Sequence, residues 1–184
     1  KGRYGDLTEI NKSLAVIYRN FGDAALAESD FNKAEEYFSN IIRILPDDEQ
    51  SLYSLGFINF KLNRKSAAVE FLNKLSDNGG FKTKKYLILA KIYFANNDYA
   101  GAYTAYLKAG TVWFAGDYDE LLRFAESAVK TGNSDTALAF YKKADELKPS
   151  LETAKIVADI CRSRKKFKEA IEYYEKFLES KPND

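Results

Sequence analysis

Apolar and small residues recur along this chain with helical spacing. Leu52, Leu55, Gly56 and Asn59 fall on one helical face, and so do Leu121, Phe124, Ala125 and Ala128. Breakers separate such segments: Asn63-Arg64, Asn96-Asn97-Asp98 and Thr131-Gly-Asn-Ser134. Asp98 and Ser134 are predicted N-caps. No alternating pattern suggests a strand, so an all-α protein is predicted. At the N-terminus, Asp6-Leu-Thr-Glu9 reads as a capping box. It predicts a helix from near Leu7 to about Glu28. The other reading of this end makes Gly2-Arg-Tyr4 the remnant of an inter-helix turn.

The pattern also repeats over a longer distance. Ala34, Ala68, Ala102, Ala137 and Ala170 are separated by 34, 34, 35 and 33 residues. Gly22, Gly56, Ala90, Ala125 and Ala158 share those four spacings, as do Phe38, Leu72, Tyr106, Tyr141 and Tyr174. Pro46, Pro149 and Pro182 lie on the same lattice. The extra residue falls near Gly110–Asp117, and the missing one between Pro149 and Leu151. In each unit a small residue of the first helix faces a small residue of the second, which lets two backbones approach closely. A bulky residue four places later fills the gap towards the next unit. One such unit cannot bury its own face, so stability must come from stacking neighbours.

This lattice resembles the tetratricopeptide repeat, a helix–turn–helix unit of about 34 residues. Its best copies are Ser29-Asp-Phe-Asn-Lys-Ala34 with Tyr37-Phe38 and Pro46, Ala90-Lys-Ile-Tyr93 with Asn97-Asp-Tyr99 and Ala102, and Lys165–Ala170 with Tyr173-Tyr174 and Pro182. Leu72 stands where an aromatic is usual and Cys161 where Tyr is usual, and the second and third units lack the closing proline. The predicted units are 15–48, 49–82, 83–117, 118–150 and 151–184, with residues 1–14 an extension of the first helix. The resemblance implies a right-handed superhelical α-solenoid of antiparallel helix pairs. Asp184 follows a complete unit with no polar helix to cover it. The chain starts at Lys1 rather than Met and reads as a fragment of a longer protein.

Composition removes most chemistry. The 184 residues include no His and one Cys, so the commonest general base, a disulfide and a thiolate metal cluster are all absent. Cys161 is predicted to be a small core residue. The carboxylate pairs Glu35-Glu36, Asp47-Asp-Glu49 and Asp119-Glu120 read as solvated or helix-start acids. Asn78-Gly79-Gly80 reads as a connecting turn. No catalytic residue, metal or cofactor is expected, and the chain is not expected to be an enzyme. The most apolar stretch, Tyr86–Ala95, is too short to span a membrane and is broken by Lys91. The composition is that of a soluble protein of cytoplasm or periplasm. Its Lys, Asn, Ile, Tyr and Phe bias points to an AT-rich, bacterial source.

Charge is balanced overall, at net +1, but uneven along the chain. Residues 1–60 carry net −4, 61–108 net +6 and 109–184 net −1. The basic middle includes Lys82, Lys84 and Lys85. Few arginines occur there and the aromatics serve the repeat, so nucleic acid is not an expected partner.

The resemblance implies that a partner peptide lies in a concave groove lined by the first helix of each unit. Residues of those helices that the core does not need should line it: Arg19, Tyr53, Phe57, Phe60, Lys84, Leu87, Lys91, Phe94, Arg123 and Glu126. Ile88, Asp23, Leu26, Lys130, Lys155, Asp159 and Arg162 extend the set. Tyr53 and Phe57 are one helical turn apart and share a face. The resemblance implies that relatives holding acidic chaperone tails use Lys and Asn from one unit, Asn from the next, and Lys and Arg from the third, where Arg19, Asp23, Ser54, Lys84 and Ile88 stand here. Asp23 would repel a carboxylate, so that subtype is not expected. Two functions follow. One is a protein-interaction scaffold that docks a partner segment in the groove. The other is an assembly part of a larger envelope or motility complex, packing through the ends or outer face, with self-association through the C-terminal end.

Overall fold

The computed structural model describes residues 2–179. Among these, the chain forms α-helices and one 3₁₀ turn, with no strand. The helices are α1 (Gly2–Ala27), α2 (Phe31–Ile44), α3 (Glu49–Lys61), α4 (Lys65–Asn73), α5 (Lys82–Ala95), α6 (Tyr99–Ala109), α7 (Tyr118–Lys130), α8 (Ser134–Leu147), α9 (Leu151–Ser163) and α10 (Phe167–Glu179). The 3₁₀ turn spans Thr111–Phe114. Helix contacts divide the chain into two compact units, Lys1–Ile92 and Tyr93–Asp184. Pro182 and the C-terminal end lie outside the described residues.

Five helix starts have a local cause in a side-chain cap. Asp30, Asp48, Asp98, Asp117 and Ser150 accept a hydrogen bond from the backbone N–H three residues on, at 2.9–3.1 Å. Each bond satisfies a donor that the first helical turn leaves open. Ser134 is not a cap: it is the first helical residue, and Asn133 holds the cap position without a side-chain bond. Helix α1 begins at Gly2, so Leu7 is an internal position and Gly2-Arg-Tyr4 is helix rather than turn.

Each tight turn between paired helices bends at a left-handed residue in the same register. These are Ser29, Asn63, Asn97, Gly132 and Lys165, with φ between 57° and 78°. Only one of the five is glycine. The turn is imposed by the packing of the two helices it joins, because Ser and Lys gain nothing intrinsically from that conformation.

In the first unit, α1 packs on α2 and α2 on α3. Ala15, Ala25, Ala34, Phe38, Ile41, Leu55 and Ile58 form one buried cluster. In the second unit, α6, α7, α8 and α9 pack in succession and α9 pairs with α10. An aromatic cluster joins Tyr106, Phe114, Phe124 and Phe140, with ring centroids 4.7–6.3 Å apart. Phe114 comes from the 3₁₀ turn, where the extra residue of the lattice falls. The insertion is accommodated because it buries Phe114 and leaves Val112 and Trp113 in solvent.

Candidate functional site

The site is built first from α3 and α5. Their small and branched residues face the core: Leu52, Leu55, Gly56 and Ile58 on α3, and Ile88, Leu89, Ala90 and Ile92 on α5. Ile88 is therefore core and not a groove residue. It sits one position after Leu87, where the helical rotation of about 100° carries it to the buried side. Tyr53, Phe57 and Phe60, spaced by four and three, remain half-buried on the other face of α3. The Tyr53 and Phe57 rings stack at 6.4 Å. Phe81, just before α5, stacks on Tyr53 at 4.9 Å. Lys84, exposed, holds its Nζ 5.7 Å from the Tyr53 ring and 5.9 Å from Phe81. Lys61 stands 5.3 Å from the Phe57 ring. Such cation–ring contacts stabilise by about 0.5–1 kcal/mol at exposed sites. Burial pushes the Tyr53 phenol above its ordinary value. Leu87 and Lys91, one and two turns after Lys84 on α5, are both half-buried.

Phe81 lies outside the helical pattern, so periodicity gave no reason to select it. Its only signal was an aromatic directly after Gly79-Gly80, at the position from which its carbonyl accepts the Lys85 N–H.

Other selected residues serve the structure. Arg19 Nη2 donates to Asp48 Oδ2 at 2.7 Å, with both side chains about one-fifth exposed. Burial raises the Asp48 carboxyl, but hydrogen bonds from Ser51 and the Arg19 charge outweigh it and hold the group below its ordinary value. Arg19 thus braces the start of α3. Lys85 is not part of an exposed basic stretch. It is buried, with Nζ donating to the Leu75 carbonyl at 2.9 Å and to Asp77 Oδ1 at 2.8 Å, and the Tyr86 hydroxyl donates to the same Asp77 oxygen at 2.6 Å.

In the second unit, Arg123 pairs with the buried Glu120, which also accepts the Tyr106 hydroxyl at 2.6 Å. Burial, and then Glu120, push the Tyr106 phenol strongly upward. Phe94 meets Tyr99 edge-on at 5.6 Å, and Lys130 lies over Tyr99 at 5.6 Å. Glu126 lines a pocket of about 430 Å³ with Val129, Lys130, Tyr141, Ile156, Asp159, Ile160 and Ser163. Its lining combines apolar side chains with charged groups of both signs.

Tyr141 provides a pH signature of this pocket. Burial, with the Glu126 and Glu152 carboxylates nearby, pushes its phenol up to about 12 from 10.0. Its stabilising contribution is complete below pH 10.0 and is lost as pH rises from there towards about 12. The loss should approach about 1.4 kcal/mol per pH unit within that window. Alkaline denaturation of Tyr141→Phe against wild type checks this: the variant should lose stability less steeply across the window.

Cys161 is buried, and its Sγ lies 3.9 Å from Glu169 Oε2. Burial and then Glu169 push the thiol up, the opposite of what a nucleophile requires. Among the described residues, no three His, Cys, Asp or Glu side chains gather as a metal site. No described helix is long and apolar enough to cross a membrane.

The fold defines a class, an all-α array of helix hairpins. Family models described as tetratricopeptide repeat match residues 19–81, 121–151 and 156–184. The chain belongs to the tetratricopeptide repeat family and is a protein–protein interaction scaffold. Solved structures of similar fold include a crystal structure of MamA protein (TM-score 0.68, 22% identity, 91% of this chain and 92% of that one). MamA AMB-1 aligns with a TM-score of 0.70 at 19% identity, over 90% of each chain. MamA 41-end from Desulfovibrio magneticus RS-1 gives 0.63 at 20% identity, over 90% and 94%. Protein O-mannosyl-transferase Tmtc3 of Drosophila melanogaster is 32% identical over 77 residues, which are 42% of this chain. The match spans 8% of that relative's length.

Proposed function

We propose that the chain docks a segment of a partner protein against the inner faces of its first helices, and that it catalyses no reaction. The observation that carries this is the stack of Tyr53, Phe57 and Phe81 beside Lys84, half-buried on a face the repeat core does not use. Aromatic side chains held in place by their neighbours lose little entropy on binding and dominate interface energy. Phe60, Leu87 and Lys91 continue the surface in the first unit. Phe94, Arg123 and Glu126 belong to the second. The tetratricopeptide family is generally non-enzymatic, and the transferase relative is matched over a small part of its length only.

Phe57→Ala tests the reading. It removes an aromatic anchor outside the core, so binding should weaken by about 2 kcal/mol while melting changes little. Proteins captured by the wild-type chain and by the variant are compared by mass spectrometry, and the affinity of a retained partner is measured by calorimetry. Loss of that partner with an unchanged melt is the expected result. If Phe57→Ala collapses the fold, the residue is core. If affinity is unchanged, the partner binds elsewhere.

A further inference from the structure

Three tyrosines occupy one register of the repeat lattice: Tyr106 on α6, Tyr141 on α8 and Tyr174 on α10. Two of them place their hydroxyls on a carboxylate. Tyr106 donates to Glu120 Oε2 at 2.6 Å, and Tyr174 to Asp159 Oδ1 at 2.5 Å. Tyr141 is only 5% exposed, yet among the described residues its hydroxyl has no hydrogen-bond partner. A phenol buried to that extent normally finds one. Tyr141 lines the pocket of about 430 Å³ walled by α7, α8 and α9, three successive helices of the array. The unpaired group therefore borders a space that a ligand can enter.

The charged groups of this pocket are not equally occupied. Asp159 accepts the Tyr174 hydroxyl and pairs with Arg162 at 3.3 Å. Lys130 is exposed and lies over the Tyr99 ring. Glu126 is half-buried and, among the described residues, has neither an ion pair nor a hydrogen bond. It does not bond to Tyr141, although its carboxylate is near enough to act on that phenol. Glu126 shares its register with Phe57 and Lys91 of the earlier first helices. Val129, Ile156 and Ile160 supply the apolar part of the lining.

Two acceptors thus lack a donor, one of them charged, beside an apolar surface. The matching ligand has a positive head that only donates and an aliphatic stem. A lysine ammonium carries three donors and no acceptor, on a stem of four methylenes. A half-buried carboxylate without a counter-charge gains most from a charged donor. Glu152, the other carboxylate acting on the Tyr141 phenol, adds to the negative field. We propose that the pocket between α7 and α9 takes the basic side chain of a partner segment, its cation donating to Glu126 and to the Tyr141 hydroxyl oxygen and its stem lying on Val129, Ile156 and Ile160. This rests on the docking reading above and gives the second unit a selectivity of its own.

The probe is N-acetyl-lysinamide, titrated into the isotope-labelled chain to tens of millimolar at constant ionic strength and neutral pH, and followed by NMR. The amides of Ile156 and Ile160 should shift and saturate, with a Kd in the millimolar range expected of so small a ligand. N-acetyl-norleucinamide, which has the stem without the cation, should bind about tenfold more weakly. The glutamate analogue should not saturate. Glu126→Gln should weaken lysine binding by about tenfold, the loss expected of a charge-assisted hydrogen bond. Tyr141→Phe should weaken it by about threefold, since a neutral partner contributes less. Circular dichroism melts at neutral pH check that both variants fold, and the comparison of the three probes on the wild-type chain needs neither. The inference is overturned if the lysine probe does not saturate, if the norleucine or glutamate analogue matches it, or if folded Glu126→Gln binds it as tightly as wild type. Phe57→Ala should leave this titration unchanged. Loss of the captured partner in Phe57→Ala without lysine binding overturns this inference alone. Lysine binding with unaltered partner affinity in Phe57→Ala overturns the aromatic-stack reading alone.

Discussion

An arginine in place of Ala102 is expected to unfold the unit Tyr93–Asp184. Ala102 is completely buried on α6, in a row with Ala105, Tyr106 and Ala109. The five alanines of its register are at most 3% exposed, so no copy of the repeat tolerates bulk there. Arginine would bring a long side chain and a charge into a completely buried position. Overpacking alone costs roughly 1–3 kcal/mol. A buried charge without a partner costs roughly a further 3–5 kcal/mol. Whole domains are stable by only about 5–15 kcal/mol. Lys108→Ala, at an exposed position of the same helix, is the control and should stay within about 0.5 kcal/mol. Thermal melts followed by circular dichroism compare the two. Equal melting temperatures would contradict the assigned register.

The second large effect is at Phe38, where alanine should cost about 3–5 kcal/mol. Phe38 is fully buried in the cluster with Ala15, Ala34, Ile41 and Leu55. Its ring fills the space left by a missing side chain: a Cβ added at Gly22 would lie 2.9 Å from the Phe38 ring. That contact makes the two positions interdependent. Gly22→Ala in the wild type forces the ring aside and destabilises. In a Phe38→Ala background the same change fills part of the cavity. Denaturant unfolding of the four proteins forms a double-mutant cycle, and strong non-additivity is the expected result. Additive losses would mean that α1 and α2 do not meet at this pair.

The repeat period and the helix hairpins were legible in the sequence alone. Each is written locally or at a fixed interval. The apolar face of Leu52, Leu55 and Gly56, and Asp98 as a cap, need only helical spacing and short-range hydrogen bonding to be recognised. Whether a polar residue faces solvent or core depends instead on what packs over it. Lys85 and Glu120 read as surface charges, yet both are buried because Asp77, Tyr106 and Arg123 arrive to satisfy them. Arg19 reads as a groove residue but is committed to Asp48, 29 positions away. Phe81 enters the aromatic stack through a loop conformation that no periodicity encodes. Ser29 and Lys165 take the left-handed turn because the helices on either side fix their ends. The same rule governs Ile88. Spacing placed it on a helix and beside the groove, but only the tertiary structure revealed that it is buried, because burial belongs to a pair of surfaces and a sequence position describes just one of them.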